Sequence, residues 1–132
     1  MHKFEHKISF LYSDPGGILF YSKLFEITHL AFEDFIHSLD LDLDFFYDPV
    51  YAFPIIHTEA DYISQIKIHE TILVELIVSE LRDSSFEINY LLKNENVLKA
   101  KSKTVHVAVN KQKFSKVTLP GKLRDKLKLH LS

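Results

Sequence analysis

The stretch Tyr12-Ser13-Asp14-Pro15-Gly16-Gly17-Ile18-Leu19-Phe20-Tyr21 is where the chain changes character. Before it, Phe4 to Tyr12 alternates: Ile8, Phe10 and Tyr12 fall on one face, and Lys7, Ser9 and Leu11 on the other. That is the period of a strand. Asp14-Pro15-Gly16-Gly17 then breaks the pattern with consecutive turn formers. From Ile18 to about Leu39 there is neither Gly nor Pro. Leu24, Ile27, Ala31, Phe35 and Leu39 recur at helical spacing, with Phe20, Leu30 and Phe32 beside them. A helix apolar over so much of its circumference is buried, and one long buried helix calls for a sheet that wraps it.

Downstream, Asp40 to Pro54 is acidic and aromatic and reads as an irregular connection. Period-2 patterns follow. Ile55–Ile63 is the first. Thr71–Leu81 is the clearest, with Ile72, Val74, Leu76 and Val78 on one face. Arg82-Asp83-Ser84 turns the chain into a strand marked by Phe86, Ile88, Tyr90 and Leu92. Asn94-Glu95-Asn96 turns it again into Val97–Val109, and a short basic helix is expected around Leu123–Leu131. The expected fold class is α+β: a long central helix wrapped by an antiparallel sheet of about five strands, the last four running as a meander.

The 132 residues, 46% of them hydrophobic, suit one domain spanning 1–132. The absence of cysteine excludes a disulfide framework, a thiolate metal site and a cysteine nucleophile. No apolar run approaches the ~18 residues of a membrane span, and Met1-His2-Lys3-Phe4-Glu5-His6-Lys7 lacks a signal-peptide core. A soluble, cytoplasmic protein is expected. Residues 1–96 carry 17 acidic and 6 basic side chains, whereas 97–132 carry 10 basic and only Asp125. That asymmetry suits either an anionic ligand or neutralisation within the fold or an oligomer. The basic third lacks the interleaved aromatics that single-stranded nucleic acid needs, so no nucleic acid is expected. Asp40, Asp42, Asp44 and Asp48 alternate, but the Gly and Glu of a calcium loop are not placed. His2 with His6, and His29 with His37, find no third ligand at metal spacing, so no metal is expected.

The chemistry-bearing segment is the Asp14 loop. Gly16 and Gly17 permit positive φ and let a ligand approach the backbone. The loop is expected to feed directly into the buried helix, so that the free N–H groups of its first turn and the positive dipole end face the same space and suit an oxyanion. A carboxylate beside them supplies a base or a nucleophile. The local pattern equally allows Asp14 to do no more than cap the turn or the helix.

The run Tyr12–Tyr21 resembles the signature of the hotdog-fold acyl-CoA thioesterases of the 4-hydroxybenzoyl-CoA thioesterase type, Asp-x-Asp-x-x-Gly followed by two hydrophobic and two aromatic positions. Phe53-Pro54-Ile55-Ile56-His57 with Ala60-Asp61-Tyr62 resembles that family's second strand. Arg82–Phe86 resembles its turn, Thr104–Val109 its last strand, and Thr118-Leu119-Pro120 its tail. Through Phe53–His57 the chain is most similar to 1,4-dihydroxy-2-naphthoyl-CoA and related aromatic-acyl thioesterases. The resemblance implies hydrolysis of an acyl-CoA thioester, with CoA only as part of the substrate and no other cofactor. It also implies a homodimer or homotetramer. Asp14 would be the catalytic carboxylate, Tyr21 would offer its backbone N–H to the carbonyl, and Gly17 would let that backbone come close. Tyr12 stands where the family often has its first Asp, Glu26-Ile27-Thr28-His29 where it often has Glu-x-x-Arg, and His69-Glu70 where it usually has Gly-Asp.

Four further residues are substrate-binding candidates. His57 is on a strand expected to line the pocket, and Glu59 shares its face as an alternative base. Arg82 and Lys101 are candidates for CoA phosphates, Lys101 in a row with Lys99 and Lys103 that a solvated sheet face would equally explain. The hotdog dehydratase motifs are absent. A non-catalytic binder of acyl-CoA or acyl carrier protein is the alternative reading.

Overall fold

The computed structural model describes residues 1–132. Strand β1 (His2–Lys7) leads to a single 3-10 turn at Phe10–Tyr12, then to helix α1 (Lys23–Ser38). A two-residue strand β2 (Tyr51–Ala52) precedes β3 (Ile55–Tyr62), β4 (Thr71–Leu81), β5 (Ser85–Asn94) and β6 (Val97–Val107). A second short strand β7 (Val109–Asn110) pairs with β2, and helix α2 (Gly121–Lys128) closes the chain. The main sheet has the order β1-β4-β5-β6-β3, with every pair antiparallel. This is the expected α+β hotdog arrangement of a helix wrapped by five strands.

Three local expectations are corrected. The first strand ends at Lys7, not Tyr12. The Ser9 side chain accepts from the Leu11 N–H and closes the 3-10 turn. The central helix starts at Lys23 rather than Ile18. Residues 18–20 run extended because partners outside any helical ladder claim their amides: Leu19 N–H donates to the Ile66 carbonyl (2.7 Å) and Phe20 N–H to the Tyr12 carbonyl (2.7 Å), across the Asp14 turn. Only β4, β5 and β6 form a meander. Strand β3 crosses to the far edge and pairs with β6, so it does not neighbour β4.

The hairpin turn between β5 and β6 puts Glu95 and Asn96 at positive φ (48° and 65°), as a two-residue turn between twisted strands demands. On α1, Leu24, Ile27, Ala31, Phe32 and Phe35 are buried. They meet Ile72, Val74, Leu76 and Val78 of β4 and Phe86, Ile88 and Leu92 of β5 in one core. The inner face of β6 is different: Ala100, Ser102, Thr104 and His106 are small or polar. The helix packs on β1 and β4, so the β6–β3 half of the concave face is left with a cleft of about 620 Å³. No helix is long and apolar enough to cross a membrane.

Candidate active site

Asp14 opens a tight turn. Its backbone N–H donates to the Ile18 carbonyl (2.7 Å), and its carbonyl accepts from the Gly17 N–H (3.0 Å). The carboxylate folds back on the same turn: Oδ1 accepts from the Gly16 N–H (2.8 Å) and the Ile18 N–H (3.3 Å). No hydrogen bond within the chain reaches Oδ2. The two local readings of Asp14 are thus compatible, since one oxygen holds the turn and the other stays free. Gly17 sits at φ +79°, a conformation that costs a Cβ-bearing residue about 1–2 kcal/mol. A Cβ built there meets nothing within 4 Å, so the requirement is conformational rather than steric.

Five residues separate this turn from α1. One of them, Phe20, closes a second turn with the first helical residue, the Lys23 N–H donating to the Phe20 carbonyl (2.9 Å). The N–H groups of Tyr21 and Ser22, between them, make no hydrogen bond within the chain. They stand at the positive end of α1. Asp14, Phe20 and Tyr21 line one cavity of about 500 Å³ with Tyr62, Ile63, Ser64 and Ile66. The structure therefore brings together Asp14 and Tyr21, with Gly17 in the turn between them. The expected contiguity of loop and helix is replaced by an extended strand-like link, and the unpaired amides survive at the turn rather than in the helix.

Of the four substrate-binding candidates, none lines that cavity. His57 and Glu59 point to the outer face of the sheet, where His57 Nε2 lies 3.0 Å from Glu59 Oε1. The hydrogen bond from His57, and then the charge of Lys103, lower the pKa of Glu59. Lys101 is on the same outer face, opposite Asp61 in the register with β3. Arg82 is at the β4–β5 turn, ion-paired with Glu80. The 11 residues of β4 put ~35 Å between that turn and the strand end nearest Asp14. Lys99 is engaged elsewhere, donating to the Gln65 carbonyl (3.0 Å).

The neighbouring cleft between α1 and the β6–β3 half of the sheet is lined by Phe25, Leu30, Phe32 and Ile55, with His29 and Glu33 at its rim. His29 Nε2 lies 3.4 Å from Glu33 Oε1. Its floor holds a buried polar chain: the Tyr90 hydroxyl is 3.1 Å from Thr104 Oγ1, which is 2.9 Å from His106 Nε2. Burial pushes the Tyr90 phenol up and lowers the His106 pKa to about 4, partly offset by the Phe53 carbonyl. Tyr62, Thr104 and His106 escaped the sequence reading as site residues. The signal was strand parity, which puts Thr104 and His106 with Ala100 and Ser102, and Tyr62 with Ala60.

Comparison with known proteins now decides the family. Residues 9–127 match the thioesterase-like superfamily. The chain belongs to it. The 1,4-dihydroxy-2-naphthoyl-CoA hydrolase of Rippkaea orientalis (strain PCC 8801 / RF-1) is 32% identical over 132 residues, 97% of this chain and 96% of that one. The hydrolase of the same name from Nostoc punctiforme is 29% identical over 121 residues, covering 91% and 82%. Among solved structures, a 1,4-dihydroxy-2-naphthoyl-CoA thioesterase from Synechocystis superposes with a TM-score of 0.89 at 20% identity, covering 96% of this chain and 95% of that one. A gentisyl-coenzyme A thioesterase gives 0.84 at 19% identity, covering 95% and 98%. The hotdog fold is borne out, and the chain is a member of the thioesterase-like superfamily.

Proposed function

We propose that this thioesterase hydrolyses an aromatic acyl-CoA of the 1,4-dihydroxy-2-naphthoyl-CoA kind to the free acid and CoA, as a cytoplasmic homodimer or homotetramer with no cofactor beyond the CoA of its substrate. The observation that carries this reading is the pairing in one cavity of Asp14, whose Oδ2 is free, with the unpaired N–H of Tyr21. Asp14 Oδ2 takes a proton from water, and the hydroxide attacks the thioester carbonyl. The Tyr21 N–H receives the developing oxyanion. As the C–S bond breaks, the thiolate takes the proton back from Asp14. Direct attack of Asp14 on the carbonyl, through an acyl-enzyme anhydride that water then opens, yields the same products.

The names of the relatives and the aromatic lining of the adjacent cleft support an aromatic acyl group. The open edge of β3 supports assembly, since the strand is exposed along nearly its whole length. The test is free-thiol release across short, long and aromatic acyl-CoA and acyl-carrier-protein substrates, with and without Asp14→Asn. Turnover restricted to aromatic acyl-CoA and abolished by Asp14→Asn is expected. Binding without turnover, by a folded protein, would replace the enzyme with a non-catalytic binder.

A further inference from the structure

Tyr62 is the last residue of β3, and its side chain lies on the helix-facing side, lining the Asp14 cavity. Its hydroxyl donates to the backbone carbonyl of Tyr21, 41 residues earlier in the chain. Nothing else in the chain donates to that carbonyl across the sheet. The first turn of α1 makes no use of that carbonyl. In a regular helix, the Phe25 N–H would donate to Tyr21, four residues back. Instead it donates to the Ser22 carbonyl at 3.3 Å. The Tyr21 carbonyl therefore has Tyr62 as its donor and stands outside the helical ladder, which begins at Lys23 with Ser22 as N-cap.

A trans peptide is planar, so fixing the Tyr21 carbonyl also fixes the direction of the Ser22 N–H. It also pins the turn in which the Tyr21 N–H is left unpaired beside Asp14. We infer that Tyr62 is a positioning residue for hydrolysis: its hydroxyl sets the orientation of the Tyr21–Ser22 turn that offers backbone N–H to the thioester oxygen. This rests on the proposed roles of Asp14 and Tyr21. Burial, with Tyr21 nearby, raises the pKa of Tyr62, so the phenol keeps its proton at neutral pH and remains a donor. The device ties the oxyanion site to β3, one of the two edge strands of the sheet, and so to whatever occupies that edge.

The experiment compares wild type with Tyr62→Phe, which keeps the ring and removes only the hydroxyl. Two readouts are taken: steady-state thiol release on the wild type's best acyl-CoA, and backbone amide chemical shifts. The expected result is a fall in kcat of about tenfold with KM within about twofold, inside the ~10²-fold that misplacement of a reacting group can cost. Shift changes should centre on residues 20–25, with the Phe25 amide exchanging more slowly as it takes up the released carbonyl. A folded Tyr62→Phe with unchanged kcat overturns the inference. So does an equal loss in kcat and KM accompanied by shift changes spread along β3, which marks a merely structural tyrosine. If the wild type turns over no thioester, the proposed function fails instead. The amide shifts then still decide whether Tyr62 sets the turn.

Discussion

Phe32 of α1 and His106 of β6 lie face to face, their ring centroids 4.4 Å apart and their planes within 13°. Phe86 lies near-parallel to the same imidazole at 4.8 Å and 5°, and 6.5 Å from Phe32, so the three rings form one cluster. His106 is 2% exposed, and its Nδ1 makes no hydrogen bond. An imidazolium in that aromatic cluster would be a desolvated charge that the Phe53 carbonyl only partly offsets. The folded pKa is accordingly about 4, below the ordinary 6.5 of a solvated imidazole that the unfolded chain retains. The unfolded state therefore binds the proton first as pH falls. Stability should be on its plateau above about pH 6.5 and decline between there and about pH 4, by up to about 3 kcal/mol from this residue. His130, also lowered by burial, contributes in the same direction. Denaturant unfolding at several pH values, for wild type and His106→Phe, isolates the His106 share. A difference between the two that does not change with pH would refute the assignment.

The division of labour between the two oxygens of Asp14 makes Asp14→Asn a clean test of chemistry. The amide oxygen can replace Oδ1 in accepting from Gly16 and Ile18, so the turn is preserved. The nitrogen that replaces Oδ2 cannot take a proton. A loss of about 10²–10⁴ in kcat is expected, with the melting temperature within about 2 °C of wild type. Asp14→Ala should lose comparable activity but also stability, by about 1 kcal/mol, because two backbone donors lose their acceptor. Equal melting temperatures for the two variants would count against the turn role.

Much of this arrangement was legible in the sequence, and the reasons differ by element. The β4 boundaries Thr71–Leu81 follow from alternation alone, because one face of that strand is fully buried. The Asp14 turn was legible because Pro15, Gly16 and Gly17 leave few alternatives. The start of α1 was not, because Ile18, Leu19 and Phe20 are apolar on either reading. Their extended form is imposed by Tyr12, across the Asp14 turn, and by Ile66, remote in sequence. The crossing of β3 to the far edge is a tertiary choice that local pattern does not encode. The same non-locality hid Tyr62, whose partner is set by that crossing. Lys101 and His57 carry the opposite lesson, since strand parity already separated them from the inner residues Ser102 and Thr104.

Gly17 is held at φ +79° with open space where a side chain would stand. Gly17→Ala should therefore cost about 1 kcal/mol through backbone conformation alone, a drop of roughly 3–5 °C in melting temperature. Gly17→Asn should recover part of that loss, because Asn tolerates the left-handed region. Gly17→Val should be the worst of the three. If all three melt alike, the positive φ is not what the turn requires of this glycine.

The remaining prediction concerns the open edge. Strand β3 pairs with β6 on one side only. Ile55 and Ile56 at its start and Ile63 just beyond its end are exposed, Ile56 to 61%. Phe10, Leu11 and Tyr21 add further exposed apolar surface elsewhere on the chain. An uncovered strand edge with apolar neighbours invites strand pairing, and a second copy offers the same edge in antiparallel register. Arg82, ~35 Å from the Asp14 end of its own β4, could serve a CoA phosphate only from such a copy. Light scattering should give at least twice the 15.4 kDa chain mass for wild type. Ile56→Lys places a charge on the edge and should shift the population towards monomer. Thiol release should fall with it, because the Tyr62-held turn sits at the end of the same strand. A wild type that stays monomeric at micromolar concentration while turning over acyl-CoA would show that one chain is sufficient and that the β3 edge has another use.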